Sequence, residues 1–306
     1  MIDYSDLFLP EDNPMLGHIF PGPKAIPEEM NSFVTALVEK AKLSKKVDFA
    51  IDVDNVFFRC SKMPTITGNL YIFRRMPSEV WPLSKCGLPK HVVDFSLSER
   101  LCKGGLIVVS GMPGNGKSTT CASMIIARLK EFGGLCITVE DPPEMPMQGQ
   151  HGNGLCFQRE VNGGEDFHVA VRDAMRGYPS RVNTMMLIGE VRDAQTASLA
   201  LRSAVDGRLV FITTHAGNVI QATQRIVSLA SGAMSTEEAR ELLASGIRMI
   251  IHQKIENGRL DVSSIIDTQG VVGVIRSKAT QLESLSNELT QQKNLIKVKG
   301  RIDTRD

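Results

Sequence analysis

Leu106-Ile107-Val108-Val109-Ser110-Gly111-Met112-Pro113-Gly114-Asn115-Gly116-Lys117-Ser118-Thr119-Thr120 is the stretch on which the fold turns. Four apolar residues lead into a glycine-rich turn. The turn leads into a segment with Cys121, Met124, Ile125, Leu129 and Phe132 on one helical face, and Gly133-Gly134 ends it. Residues 111–118 satisfy G-x-x-x-x-G-K-[ST], and the strand before and helix after supply the context that this pattern needs. Glycines let the backbone fold tightly enough for several N–H groups to face one phosphate chain, and the helix adds its positive end. Lys117 is placed to neutralise the β- and γ-phosphates, and the Ser118 hydroxyl to ligate Mg²⁺. The expected phosphate cradle is Gly111, Pro113, Gly114, Asn115, Gly116, Lys117, Ser118 and Thr119.

Further along the chain, residues 135–139, 184–188 and 209–214 read as short, continuously apolar strands separated by helical patterns. Such strands predict a parallel sheet covered on both faces. Ligands gather at the carboxyl ends of strands in these sheets, and two of these strands end in acids. One delivers Glu140 and Asp141, which Pro142 holds in an extended turn, and the other delivers Glu190. An acid there can hold Mg²⁺, directly or through water, or orient the attacking water. His215 follows the third strand and is expected to sense the γ-phosphate or to contact a neighbouring subunit.

The flanks read differently. Residues 1–80 form a separate unit, with a helix-like stretch in EEMNSFVTALVEKAKL and strand-like pieces at 51–58 and 70–73. Pro77, Pro82, Gly87 and Pro89 mark 81–103 as a linker with a short helical piece near 91–102, and 104–306 as the nucleotide-binding domain. Ser235 with Glu238 makes a capping box that opens a helix expected to run toward Ile251. Asn257-Gly258 predicts a two-residue hairpin turn, and 277–296 a polar helix.

Composition excludes several classes. With 35 Lys and Arg against 34 Asp and Glu, the net charge of +1 gives no electrostatic footprint for nucleic acid. The cysteines at 60, 86, 102, 121, 136 and 156 lack the close pairs of a zinc site and read as reduced thiols of a cytoplasmic protein. The acidic N-terminus lacks the basic and apolar regions of a signal peptide, and no apolar run is long enough to span a membrane. Membrane attachment is therefore expected through a partner.

Taken in order, GMPGNGKSTT, ITVEDPPE, QREV at 158–161, LIGEVRD at 187–193 and LVFITTHA at 209–216 resemble the motif set of the type II/IV secretion ATPase superfamily, most closely its PilT-like branch. The resemblance implies a RecA-like P-loop domain preceded by a smaller α+β, PAS-like domain. It also implies a homohexameric ring with ATP between subunits, an inner-membrane platform protein as partner, and a peripheral cytoplasmic place at a bacterial inner membrane. It assigns Glu140 as the catalytic carboxylate and Glu190 as the second, magnesium-side acid. Arg59 and Arg74 are matched with the arginines that reach the phosphates, with Arg75 competing for the second position. Arg208 stands where the family often has a histidine, and retraction-like, Dot/Icm-like and conjugative branches all stay open. Two other readings of the nucleotide fold are a RecA-like nucleic-acid motor and a nucleotide-gated assembly factor.

Overall fold

The computed structural model describes residues 4–54, 56–161, 166–277, 279–300 and 302. The chain divides into two compact units. The first takes Met1–Val80, Glu140–Pro146 and Arg159–Glu165; the second takes Trp81–Val139, Met147–Gln158 and Asp166–Asp306.

In the first unit, β1 (Asp6–Pro10), β2 (His18–Phe20), β3 (Lys24–Ala25), α1 (Asn31–Lys42), β4 (Asp48–Val53), β5 (Val56–Thr65) and β6 (Gly68–Arg75) make one α+β layer pair. The strands pair antiparallel in the order β3-β2-β1-β6-β5-β4. Alternation builds the core: Leu7 and Leu9, Phe49 and Ile51, Phe58 and Cys60, Tyr71 and Phe73 are buried, while their strand neighbours are not. Val34, Leu37, Val38 and Ala41 recur at helical spacing along α1 and close the same core. Burial pushes the Cys60 thiol up to about 12, so it stays protonated and inert. The returning pieces are tied in by polar contacts. Lys46 Nζ lies 3.1 Å from Glu160 Oε1 and donates to Val161 O at 3.0 Å, and Ala50 N donates to Glu160 Oε1 at 3.3 Å.

The second unit contains α2 (Lys90–Ser96), β7 (Gly105–Ser110), α3 (Lys117–Phe132), β8 (Gly134–Glu140), β9 (Gly149–His151), β10 (Gly154–Glu160), α4 (Phe167–Ala174) and β11 (Thr184–Ile188). It continues with α5 (Ala194–Val205), β12 (Leu209–Thr214), α6 (Val219–Ala230), α7 (Thr236–Gly246), β13 (Ile247–Glu256), β14 (Arg259–Ile266), α8 (Gln269–Arg276) and α9 (Leu285–Lys299). Its sheet runs β14-β13-β7-β12-β11-β8-β10-β9. From β13 to β8 the neighbours pair parallel, whereas the β13–β14 and β9–β10 pairs are antiparallel. Every residue of β7 and β12 is buried, as continuous apolar runs between helical layers require. Among the described residues, no helix is long and apolar enough to cross a membrane.

The sheet is thus mixed at its edges and parallel at its centre, and one helix is shorter than its cap predicts. Ser235 Oγ does accept from Glu238 N at 3.1 Å, but α7 stops at Gly246 instead of running toward Ile251. Residues 247–251 join the sheet beside β7, with Ile250 opposite Val108. Four of its five residues are apolar and buried, and a place between β7 and β14 pairs its backbone as well. Asn257 and Gly258, with φ of 51° and 74°, make the expected hairpin turn between β13 and β14. In the segment 81–103, expected as a linker, Leu83, Val92, Phe95 and Leu101 are buried and α2 is formed.

One ion pair fastens that segment to the sheet. Arg100 meets Asp267 in a two-pronged contact at 3.0 and 2.6 Å, and Arg248 Nη1 lies 3.7 Å from the same carboxylate. Asp267 is buried, so removing it takes the two-pronged carboxylate partner from the largely buried Arg100 guanidinium. Asp267→Ala is expected to lower stability by about 3–5 kcal/mol, read as a lower urea midpoint.

Candidate functional site

β7 enters the glycine loop directly from the buried sheet. Gly111, Gly114 and Gly116 have φ of 152°, 80° and 78°, a region that residues with a Cβ rarely adopt. A Cβ on Gly111 would also come within 2.4 Å of Gln253 O on β13. Asn115 N donates to Met112 O at 3.3 Å, closing the turn, and Thr120 N donates to Gly116 O at 3.0 Å as α3 begins. Gly116 offers no side chain to cap the helix. An anion is the natural complement of such an end, through its N–H groups and its dipole.

Parallel register brings the other elements to the same edge. Ser110 pairs with Thr214, Ile212 with Ile188, and Ile188 with Val139. Gly111, His215, Glu190 and Glu140 therefore follow at the carboxyl ends of β7, β12, β11 and β8. Gly189 N donates to Val139 O at 2.9 Å, Val191 N to Thr213 O at 3.1 Å, and Thr213 Oγ1 to Gly189 O, so the turn that carries Glu190 is held on both sides.

Four of the sequence-expected residues meet in one row. Lys117 Nζ donates to Gly111 O at 3.0 Å and Met112 O at 3.1 Å, and lies 3.4 Å from His215 Nδ1. His215 Nδ1 is 3.2 Å from Gly111 O, and its Nε2 is 3.1 Å from Glu190 Oε1. Nε2–H can donate to the carboxylate, while Nδ1 lies between the Lys117 ammonium and Gly111 O. The other Glu190 oxygen accepts from Arg192 Nε at 2.8 Å and Nη2 at 2.6 Å. Glu140 closes β8, its side chain is buried, and its main-chain oxygen accepts from Val161 N at 2.8 Å. Arg59 and Arg74 belong to the first unit, where they are register partners across β5 and β6. Arg59 Nη1 lies 3.3 Å from Glu144, Arg74 Nε lies 2.9 Å from Asp6, and Arg75 sits 5.4 Å over the Tyr4 ring.

The motif reading did not single out Arg192, which stands two residues beyond Glu190 inside the quoted LIGEVRD. It read a strand-like run before Asn257-Gly258 but gave no role to His252 and Gln253, which back the loop from β13. His252 Nδ1 is 3.3 Å from Ser110 Oγ, and burial holds its imidazole below the usual histidine value. Among the described residues, no group of three or more His, Cys, Asp or Glu is arranged to hold a metal. The oxygen donors at hand are the Ser118 hydroxyl and the Glu190 carboxylate. That set fits Mg²⁺, which prefers oxygen, keeps several waters and shares its coordination with substrate phosphates.

Comparison with known proteins identifies the family. The sequence profile of the family described as "Type II/IV secretion system protein" matches residues 39–298. A twitching motility protein of Neisseria gonorrhoeae is 32% identical over 277 residues, covering 86% of this chain and 71% of that protein. The type IV pilus retraction ATPase PilT of Pseudomonas aeruginosa is 32% identical over 246 residues, covering 78% and 69%. Among solved structures, that of the pilus retraction motor PilT with bound ADP superposes with a TM-score of 0.75 at 28% identity, over 98% of this chain and 91% of that one. The ATPase DotB of Legionella pneumophila shares the fold, with a TM-score of 0.72 at 20% identity over 94% and 84%. A profile match over most of the chain, together with relatives of this similarity and coverage, establishes that this protein belongs to the type II/IV secretion system protein family and to its PilT-like ATPases.

Proposed function

We propose that this chain is a motor subunit of a pilus or secretion machine, and that it binds MgATP on the loop around Lys117 and hydrolyses it. The observation that carries this reading is the convergence of Lys117, His215 and Glu190 at the ends of three adjoining parallel strands. The Lys117 N–H groups that now meet two loop carbonyls are of the right charge and reach to take phosphate oxygens instead. The Ser118 hydroxyl and the Glu190 carboxylate hold Mg²⁺, which draws charge from the phosphate oxygens when bound. Glu140 takes a proton from the attacking water, which bonds to the γ-phosphorus as the bond to ADP breaks. His215 stands between the loop and Glu190, a place from which it registers whether the γ-phosphate is present. Arg59 and Arg74 are the first unit's candidates for stabilising charge on the phosphoryl group in flight.

The same proposal makes the working form a ring of six copies on an inner-membrane platform protein, in the cytoplasm of a bacterium. It is supported by the family and by the pilus and secretion proteins that the chain resembles. The balance of 35 against 34 supplies no overall positive charge for a nucleic-acid track.

Two substitutions divide the roles. Lys117→Ala is expected to lose ADP binding and ATP hydrolysis together. Glu140→Gln is expected to bind ATP within about threefold of wild type while turnover falls at least about a hundredfold. Wild-type turnover in Glu140→Gln would remove that residue from the chemical step. Single-stranded DNA is expected to leave the ATPase rate within about twofold, and salt-sensitive stimulation of tenfold or more would favour a nucleic-acid motor instead.

A further inference from the structure

Gln253 is a polar residue in a place built for an apolar one. β13 is buried and apolar at Ile247, Met249, Ile250 and Ile251, and Gln253 on the same strand is 0% exposed. Its Nε2 donates to the main-chain oxygen of Asn115, in the middle of the glycine loop. Facing a carbonyl, that end of the amide has to be the NH₂ group, so Oε1 is the atom left over. Oε1 is buried with no hydrogen-bond partner among the described residues. An orphaned buried acceptor weakens the fold, and a methionine of the same length would fill the space without it. Stability alone therefore does not account for a glutamine here. What it adds is a grip on the loop.

The neighbouring contacts fall on the same element. Ile255 N, two residues further along β13, donates to Asn115 Oδ1 at 3.2 Å. Gln253 O stands 2.4 Å from where a Cβ on Gly111 would be, and Gln253 Nε2 stands 3.3 Å from where one on Gly116 would be. Residues 253–255 thus support the loop at its start, middle and end. The register explains why they reach it: His252 pairs with Ser110, the last residue of β7 before the loop.

We infer that Gln253 and Asn115 are a positioning pair that holds the phosphate loop from the adjoining strand in the shape that receives a nucleotide. The inference rests on the nucleotide reading of that loop. A loop already in its bound shape loses less freedom on binding, so the pair contributes to nucleotide affinity. It touches the loop backbone and no reacting atom, so its contribution is equal in ground and transition states and belongs to affinity rather than turnover.

The test uses the full chain with Gln253→Met and Asn115→Ala. The first removes the donor and the orphaned acceptor at nearly constant volume, so the melting temperature without nucleotide is expected to stay within about 3 °C of wild type. The second cuts the Ile255 contact from the loop side and covers the case in which the first fails to fold. In both, calorimetric titration with ADP is expected to give a Kd raised about tenfold, and in Gln253→Met kcat at saturating MgATP is expected to stay within about twofold. An unchanged Kd in both variants, with or without a lower melting temperature, overturns the positioning role and leaves the loop reading intact. So does a fall in kcat at unchanged Kd in Gln253→Met. Wild-type protein that binds no ADP, or Lys117→Ala that binds it as wild type does, overturns the loop reading and this inference with it.

Discussion

Between Ser110 and Lys117 the backbone turns through three glycines at φ values that side chains disfavour, and what surrounds the site depends on that turn. It brings the start of α3 to the sheet's edge, so that Lys117 reaches back to Gly111 O and Met112 O. If the turn opened, Lys117 would lose those acceptors and His215 would lose its neighbour at Nδ1. Glycine is costly to order, and a loop with three of them has little conformational preference of its own. Its shape is imposed from outside. β7 and β12, buried throughout, fix where the loop begins and what lies beside it, and β13 fixes its floor.

Charge is arranged around this frame at short range, and the overall charge of the chain conceals it. Lys117, His215, Glu190 and Arg192 alternate along one row, each within 3.4 Å of the next. The Lys117 ammonium is engaged by two loop carbonyls and faces His215, which also touches Glu190. The balance of 35 positive and 34 negative residues says nothing about such a row, since electrostatics in a site is set by a few ångströms and by exclusion of water.

Legibility in the sequence followed the locality of the forces. The central strands at 105–110, 134–140, 184–188 and 209–214 were readable because burial on both faces leaves an unbroken apolar run. The glycine loop was readable because its spacing is dictated by phosphate geometry, and Asn257-Gly258 because few dipeptides accept those turn angles. In the first unit, β1 to β3 went unread: DLFLP alternates only twice before Pro10, and pairing with β6, about 65 residues away, supplies the rest. The return of 140–146 and 159–165 to that unit was equally hidden. It depends on contacts such as Lys46 with Glu160, which no periodicity records.

The misread run at 247–251 shows how one local ambiguity conceals the register of a site residue. An apolar stretch directly after a well-capped helix fits a continuing helix as well as a buried strand, and Gly246 is a weak stop signal. With a helix running toward Ile251 and a strand-like run entering Asn257-Gly258, the register of Gln253 against β7 stays hidden. Read as strand in register with β7, with His252 opposite Ser110, Gln253 falls beside Gly111. On that strand, a glutamine that follows Ile247, Met249, Ile250 and Ile251 into the core is anomalous, and the anomaly points to the loop it holds. The signal was in the residues, but only the strand pairing gave it meaning.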